Sequence, residues 1–223
     1  MSLRVRTEGR LTCGFCGTPY HPPPQVRRTM TCGRPECVRD HRKLLRKRSS
    51  VSAFPREEYR RLLERLSDLG MEKEWFLVYV LGETGMLVSE LLRIRPADLF
   101  FEGPEKKILM HPNLSSKGPR IFNPVSGAVA GTIERWVKSK NVSKWERFFP
   151  CSKRGAQKMF ERALKRAKVV GSWGTRSLRH MFALTVAMAT DSEIAVARAL
   201  RMKGASSARI YVKMTRELME KGA

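Results

Sequence analysis

Four of the five cysteines in this 223-residue chain fall within its first fifty residues: Cys13, Cys16, Cys32 and Cys37. The spacing is C-x2-C, fifteen residues, then C-x4-C. Thiols clustered in this way, in a chain that opens without an apolar signal segment, read as a metal site before a disulfide framework. Cys13-Gly-Phe-Cys16-Gly has the character of a knuckle, in which glycine lets the backbone curl until two thiolates face one cation. Tetrahedral Zn2+ with four sulfur ligands is the expected structural cofactor. His21 or His41 could substitute for one ligand, but four thiols make that unnecessary. Cys151 stands alone and reads as an ordinary packed thiol.

The second chemistry written in the composition is charge. Forty-four Lys and Arg against twenty-one Asp and Glu give a net charge of +23 and a pI near 10.6. Solubility does not require such an excess, and the abundant polyanion of a cell is nucleic acid. Twelve Lys and Arg against three acids lie in residues 1–50. Many of them sit in Val38-Arg-Asp-His-Arg-Lys-Leu-Leu-Arg-Lys-Arg48, a segment that reads as a helix carrying Cys37 in its first turn. Arg42, Lys43, Arg46, Lys47 and Arg48 are its candidate phosphate contacts. With 42% hydrophobic residues and no apolar run long enough to span a bilayer, the chain reads as a globular, cytoplasmic protein with a nucleic-acid partner and no membrane partner.

These side chains need elements to place them. Residues 1–50 are expected to form a zinc-ribbon or treble-clef-like module with a basic helix or linker, too small to fold without metal. Residues 51–223 read as one mainly α domain with a small antiparallel sheet. Helices are expected from Pro55 to Gly70, through Trp75–Leu81, from Val88 to Ile94, and over 127–139, 154–168, 176–189, 191–201 and 206–213. Short strands are expected at 98–101, 107–110 and 120–122.

Three segments of this larger domain carry a resemblance. Thr84-Gly-Met-Leu-Val-Ser-Glu-Leu-Leu-Arg-Ile-Arg-Pro-Ala-Asp98 resembles the first catalytic box of the tyrosine recombinase, or phage integrase, family. Ser177-Leu-Arg-His-Met-Phe-Ala183 resembles the second. Leu200-Arg-Met-Lys-Gly-Ala-Ser-Ser-Ala-Arg-Ile-Tyr211 is similar to the last, which ends in the nucleophilic tyrosine. The resemblance covers residues 52–223 and implies the tyrosine recombinase catalytic-domain fold. It also implies metal-free attack of a tyrosine on a DNA phosphodiester, giving a 3'-phosphotyrosyl link and a 5'-hydroxyl.

Carried over position by position, the resemblance makes Tyr211 the nucleophile, Arg179 the second arginine, and Glu90 the acid of the first box. Lys117, before Arg120, is its hairpin lysine, and Arg176 stands where the family most often has histidine. His180, Arg120 and Lys203 complete the candidate catalytic and DNA-contacting residues. Two departures stand out: Leu87 lies where the first arginine belongs, and Met202 where a histidine or tryptophan donor belongs. Neither side chain can donate to a phosphate oxygen.

The expected function is therefore double-stranded DNA binding with strand cleavage impaired or lost. The alternative is an active site-specific recombinase acting through Tyr211; a second alternative is a zinc-ribbon RNA-binding protein that matches the boxes by chance. The resemblance further implies a helical core-binding domain that fifty residues cannot supply, so the zinc module is expected to serve as a reduced clamp. It also implies a C-terminal tail, Thr215–Glu220, through which copies self-associate on DNA, and an origin in a mobile genetic element of a prokaryotic or viral host.

Overall fold

The computed structural model describes residues 11–14, 16–21, 31–48, 51–100, 107–110 and 121–222. The chain divides into two compact units, Met1–Val51 and Ser52–Ala223.

In the first unit, β1 (Leu11–Thr12) and β2 (Pro19–Tyr20) pair antiparallel, Leu11 opposite Tyr20. The reversal between them is closed by Cys13 N–H donating to the Thr18 carbonyl and Gly17 N–H to the Cys13 carbonyl, each at 3.0 Å. Gly17 takes φ +69° there, where a side chain would be strained. Helix α1 (Pro35–Arg48) opens with proline at its first position, where the missing N–H costs nothing, and with Glu36 favourably placed in its first turn.

The second unit is built around one helix. α2 (Arg56–Asp68) is amphipathic and buries Tyr59, Leu62 and Leu66. α3 (Glu72–Thr84) is apolar on nearly every face, burying Phe76, Leu77, Val78, Val80 and Leu81 completely. Such a helix is stable only with neighbours all round it. α2, α5 (Gly127–Ser139), α6 (Lys153–Arg166) and α7 (Thr175–Thr190) supply them. Trp136 of α5 stacks on Phe76 with ring centroids 4.2 Å apart.

The segment between α3 and α5 holds α4 (Val88–Leu91) and three strands, β3 (Leu99–Phe100), β4 (Lys107–Met110) and β5 (Ile121–Pro124). They pair antiparallel in the order β3-β4-β5, with Leu99 opposite Ile108 and Ile108 opposite Asn123. α4 stops at Leu91 rather than running to Ile94. Tight three-residue bonds, Arg93 N–H to Glu90 and Ile94 N–H to Leu91, replace the helical pattern. Arg95 is extended at φ −125°, as the proline after it requires.

α8 (Glu193–Ala199), a 3-10 turn at 205–207 and α9 (Arg209–Gly222) complete the unit. α9 is longer than the expected 206–213 element and absorbs the tail segment. Within this chain it packs against α7 and α8, pinned by Arg216 on Asp191 at 2.8 and 2.9 Å and by Arg209 on Glu193 at 3.1 Å. The mainly α fold with one small antiparallel sheet is thus as expected. Among the described residues, no helix is long and apolar enough to cross a membrane.

Two glycines hold α3 in place. A Cβ on Gly82 would lie 2.5–2.6 Å from the buried Tyr59 ring. Gly85 ends the helix at φ +60°, and a Cβ there would lie 2.3 Å from the Phe182 ring of α7. Gly82→Ala is therefore expected to lower stability by about 1–3 kcal/mol through overpacking. The shift in urea midpoint relative to the parent chain measures it.

Candidate functional site

The site lies where five chain segments meet: the end of α3, the start of α4, the first half of α7, the turn after α8 and the first turn of α9. Arg176, Arg179 and His180 stand three and four residues apart on α7 and share one face of it. Leu178 and Met181 are buried and face the core.

Tyr211, third residue of α9, is 4% exposed. Its hydroxyl lies 2.8 Å from His180 Nδ1. Burial, reinforced by the charges of Arg176 and Arg179, pushes the His180 pKa down. The ring is therefore neutral near pH 7, and with its proton on Nε2 it accepts from the Tyr211 hydroxyl. Burial pushes the Tyr211 pKa up, opposed by Arg179 and Arg176. The 2.8 Å separation puts the tyrosine oxygen and the histidine nitrogen within hydrogen-bond reach of each other.

Arg179 donates to the carbonyls of Gly85 (2.7 Å) and Leu200 (2.6 Å), and its Nη1 stands 4.0 Å from Glu90 Oε2. Burial and the neighbouring Arg201 lower its pKa, and Glu90 opposes them. Glu90 caps α4 by accepting from the Leu87 N–H at 2.7 Å, and it forms a 2.9 Å ion pair with Arg201. Beside this network lies a polar cavity of about 190 Å3 lined by Leu87, Lys153, Gln157, Thr175, Arg176 and Arg179 among others.

The structure thus brings Tyr211, His180, Arg179 and Glu90 together, with Arg176 exposed on the cavity wall. Lys203 is exposed in the turn after α8, and Met202 is half-buried beside it. Lys117 and Arg120 lie outside the described residues. Arg42, Lys43, Arg46, Lys47 and Arg48 lie on the backbone of α1, with their side chains outside the described set. Two residues had gone unnoticed: Lys153, which lines the cavity from α6, and Arg201. A single basic residue after the apolar run Ala195–Leu200 (broken only by Arg198) was the available signal for Arg201. Its φ of +56°, a conformation costing a non-glycine residue on the order of 1 kcal/mol, was not.

In the first unit, the four cysteine sulfurs all lie within 4.8 Å of one another. Cys16 Sγ is 3.7 Å from Cys32 Sγ, which is 3.8 Å from Cys37 Sγ. These are too long for disulfides, which need about 2.05 Å, and the cluster can hold a metal ion. Hydrogen bonds with Thr18 hold the Cys16 thiol down to about 6, while burial and the neighbouring thiols push Cys37 up to about 12.

The second unit, with its helices around α3, its small sheet and a tyrosine on its last helix, has the catalytic-domain fold of the tyrosine recombinases. The family model described as the phage integrase family matches residues 53–217, well over half of the chain, and the chain belongs to that family. The XerH site-specific recombinase in a post-cleavage complex with a palindromic difH substrate is similar at 18% identity and a TM-score of 0.61. That match covers 92% of this chain and 59% of XerH. XerA recombinase is similar at 18% identity and a TM-score of 0.61, covering 76% and 63%. The catalytic domain of bacteriophage HP1 integrase is similar at 20% identity and 0.56, covering 77% and 92%. At these identities the likeness is one of fold. The chain spans 49–63% of the Xer recombinase chains it matches. No curated protein matches its sequence.

The depressed His180 pKa makes a pH prediction. The unfolded chain binds a proton near pH 6.5 that the folded chain resists, so this contribution to stability is complete above about 6.5 and lost as pH falls below it. Urea midpoints measured from pH 7.5 to 5 should decline for the parent chain. His180→Gln should decline less steeply.

Proposed function

We propose that this chain binds double-stranded DNA through its phosphates and cleaves it poorly or not at all. The observation that carries this reading is the wall of the cavity beside Arg179. Arg176, Arg179 and Lys153 offer positive charge to a phosphate there, but Leu87 presents an isobutyl group on the same wall. In the strand-cleavage step, Tyr211 Oη would attack phosphorus while His180 takes its proton. The P–O5' bond would break, and Lys117, the sequence-based candidate, would protonate the departing oxygen. Charge that builds on the non-bridging oxygens must be met by preorganised donors, and losing one costs on the order of 10²–10³ in rate. Leu87 and Met202 are two positions at which no donor stands.

A second reading, a working recombinase, is favoured by the 2.8 Å contact between Tyr211 and His180, which leaves the nucleophile and its base assembled. Both readings are tested by covalent capture. The parent chain, Tyr211→Phe and Leu87→Arg are incubated with a pooled random duplex library and run on denaturing gels. The expected result is duplex binding, preferred over structured RNA, with a Tyr211-dependent adduct from Leu87→Arg only. An adduct from the parent chain establishes the second reading. Preference for RNA would sink both.

The cysteine cluster is read as a structural zinc site. A tetrahedron with Zn–S bonds of about 2.3 Å has sulfur–sulfur edges of about 3.8 Å, and the separations of 3.7 and 3.8 Å support it. Zinc would tie the β1–β2 reversal to the start of α1, placing the basic helix as a DNA-contacting arm. Elemental analysis should find one zinc per chain. A chelator should abolish the circular dichroism of the first unit and weaken DNA binding, leaving the melting of the second unit unchanged. Leu218 and Met219 on α9, both more than half exposed, are the surface through which copies would associate on DNA.

A further inference from the structure

Arg201 is a charged residue placed inside the protein. Its side chain is 4% exposed, on a backbone held at φ +56°. Nη1 donates to the Ala199 carbonyl at 2.9 Å, and Nη2 to Glu90 Oε2 at 2.9 Å and to the Gly85 carbonyl at 3.5 Å. The last two acceptors also serve Arg179, whose Nη1 is 2.7 Å from the Gly85 carbonyl and 4.0 Å from Glu90 Oε2. Two guanidinium groups therefore share one carbonyl and one carboxylate oxygen, and the closer to the carboxylate is Arg201.

That ordering has a consequence for the cavity. A carboxylate only 24% exposed, with no near cation, draws in whichever cation can reach it. Arg179 already gives one hydrogen bond each to the Gly85 and Leu200 carbonyls; if Arg201 were absent, it would close the gap to Glu90 and spend its remaining donors on an internal, forked ion pair. It would then turn away from the space it shares with Arg176 and Lys153. We propose that Arg201 is a positioning residue, which occupies Glu90 so that Arg179 remains turned to the cavity and to the phosphate that enters it. This rests on the reading that Arg179 holds a DNA phosphate. Arg201 itself lies behind the cavity wall and does not touch DNA.

The test is the salt dependence of duplex binding by the full chain, because the slope counts neutralised phosphates and is insensitive to packing. Arg179→Ala should lower the slope by about 0.9, the value of one phosphate contact. Arg201→Met should lower it by the same amount although the residue is buried, and adding Glu90→Gln should restore it. Arg201→Lys, which keeps a cation for the carboxylate, should retain the parent slope. Should Arg201→Met fail to fold, Arg201→Gln keeps a donor without the charge and should show the same loss. A parent slope in Arg201→Met or Arg201→Gln, alongside a loss in Arg179→Ala, overturns the proposal alone. An equal loss from Arg60→Met, an exposed arginine paired with Glu57, would mark a net-charge effect and overturn it too. An unchanged slope in Arg179→Ala overturns the phosphate reading, and this proposal with it.

Discussion

An α-helix without a polar face has to be enclosed, and the burial of α3 is the constraint from which the larger unit follows. Phe76, Leu77, Val78, Val80 and Leu81 are each fully removed from water. At roughly 1.5–3 kcal/mol per large apolar side chain, their burial is a leading favourable term. α2, α5, α6 and α7 cover α3, and the close approaches at Gly82 and Gly85 set how deeply α2 and α7 settle against it. The site inherits its geometry from that seating. The end of α3 delivers the Gly85 carbonyl and Leu87 to the flank of α7, where Arg179 meets the first and the cavity meets the second.

Electrostatically the site is a concentration of positive charge organised by a single carboxylate. Arg176, Arg179, Arg201 and Lys153 gather near one another in a chain already carrying +23. Glu90 and the carbonyls of Gly85, Ala199 and Leu200 accept from the terminal nitrogens of its buried members. Burial amid these charges also keeps His180 neutral, and a neutral ring is what lets it accept from Tyr211. Burial moves the histidine pKa down and the tyrosine pKa up; the surrounding positive charge deepens the first shift and opposes the second.

Much of this was legible in the residues. Helical periodicity, proline and glycine punctuation and the Gly103-Pro104 break were enough for the element order, because each strong local signal agreed with the burial the fold demanded. The three boxes carried the family and pointed to Tyr211, Arg179, His180 and Glu90, which the fold assembles. Arg201 could not be read in this way. Its position depends on a left-handed backbone at one residue and on Glu90, 111 residues earlier, and neither leaves a periodic trace. Lys153 was hidden for a related reason: an N-terminal lysine of an amphipathic helix looks the same whether it faces bulk water or a cavity. The full length of α9 went unread although the tail's apolar residues recur at helical spacing without a breaker before Gly222; the segment that looked like an appendage is a continuation.

That continuity makes α9 a lever. Its fourteen residues extend roughly 20 Å at about 1.5 Å per residue. Tyr211 stands near one end, and Arg216, clamped to Asp191, sits beyond the midpoint. One hydrogen-bonded rod thus carries both anchors, the Tyr211 hydroxyl on His180 near its start and Arg216 on Asp191 past its midpoint, so a shift of either is passed along the same helix.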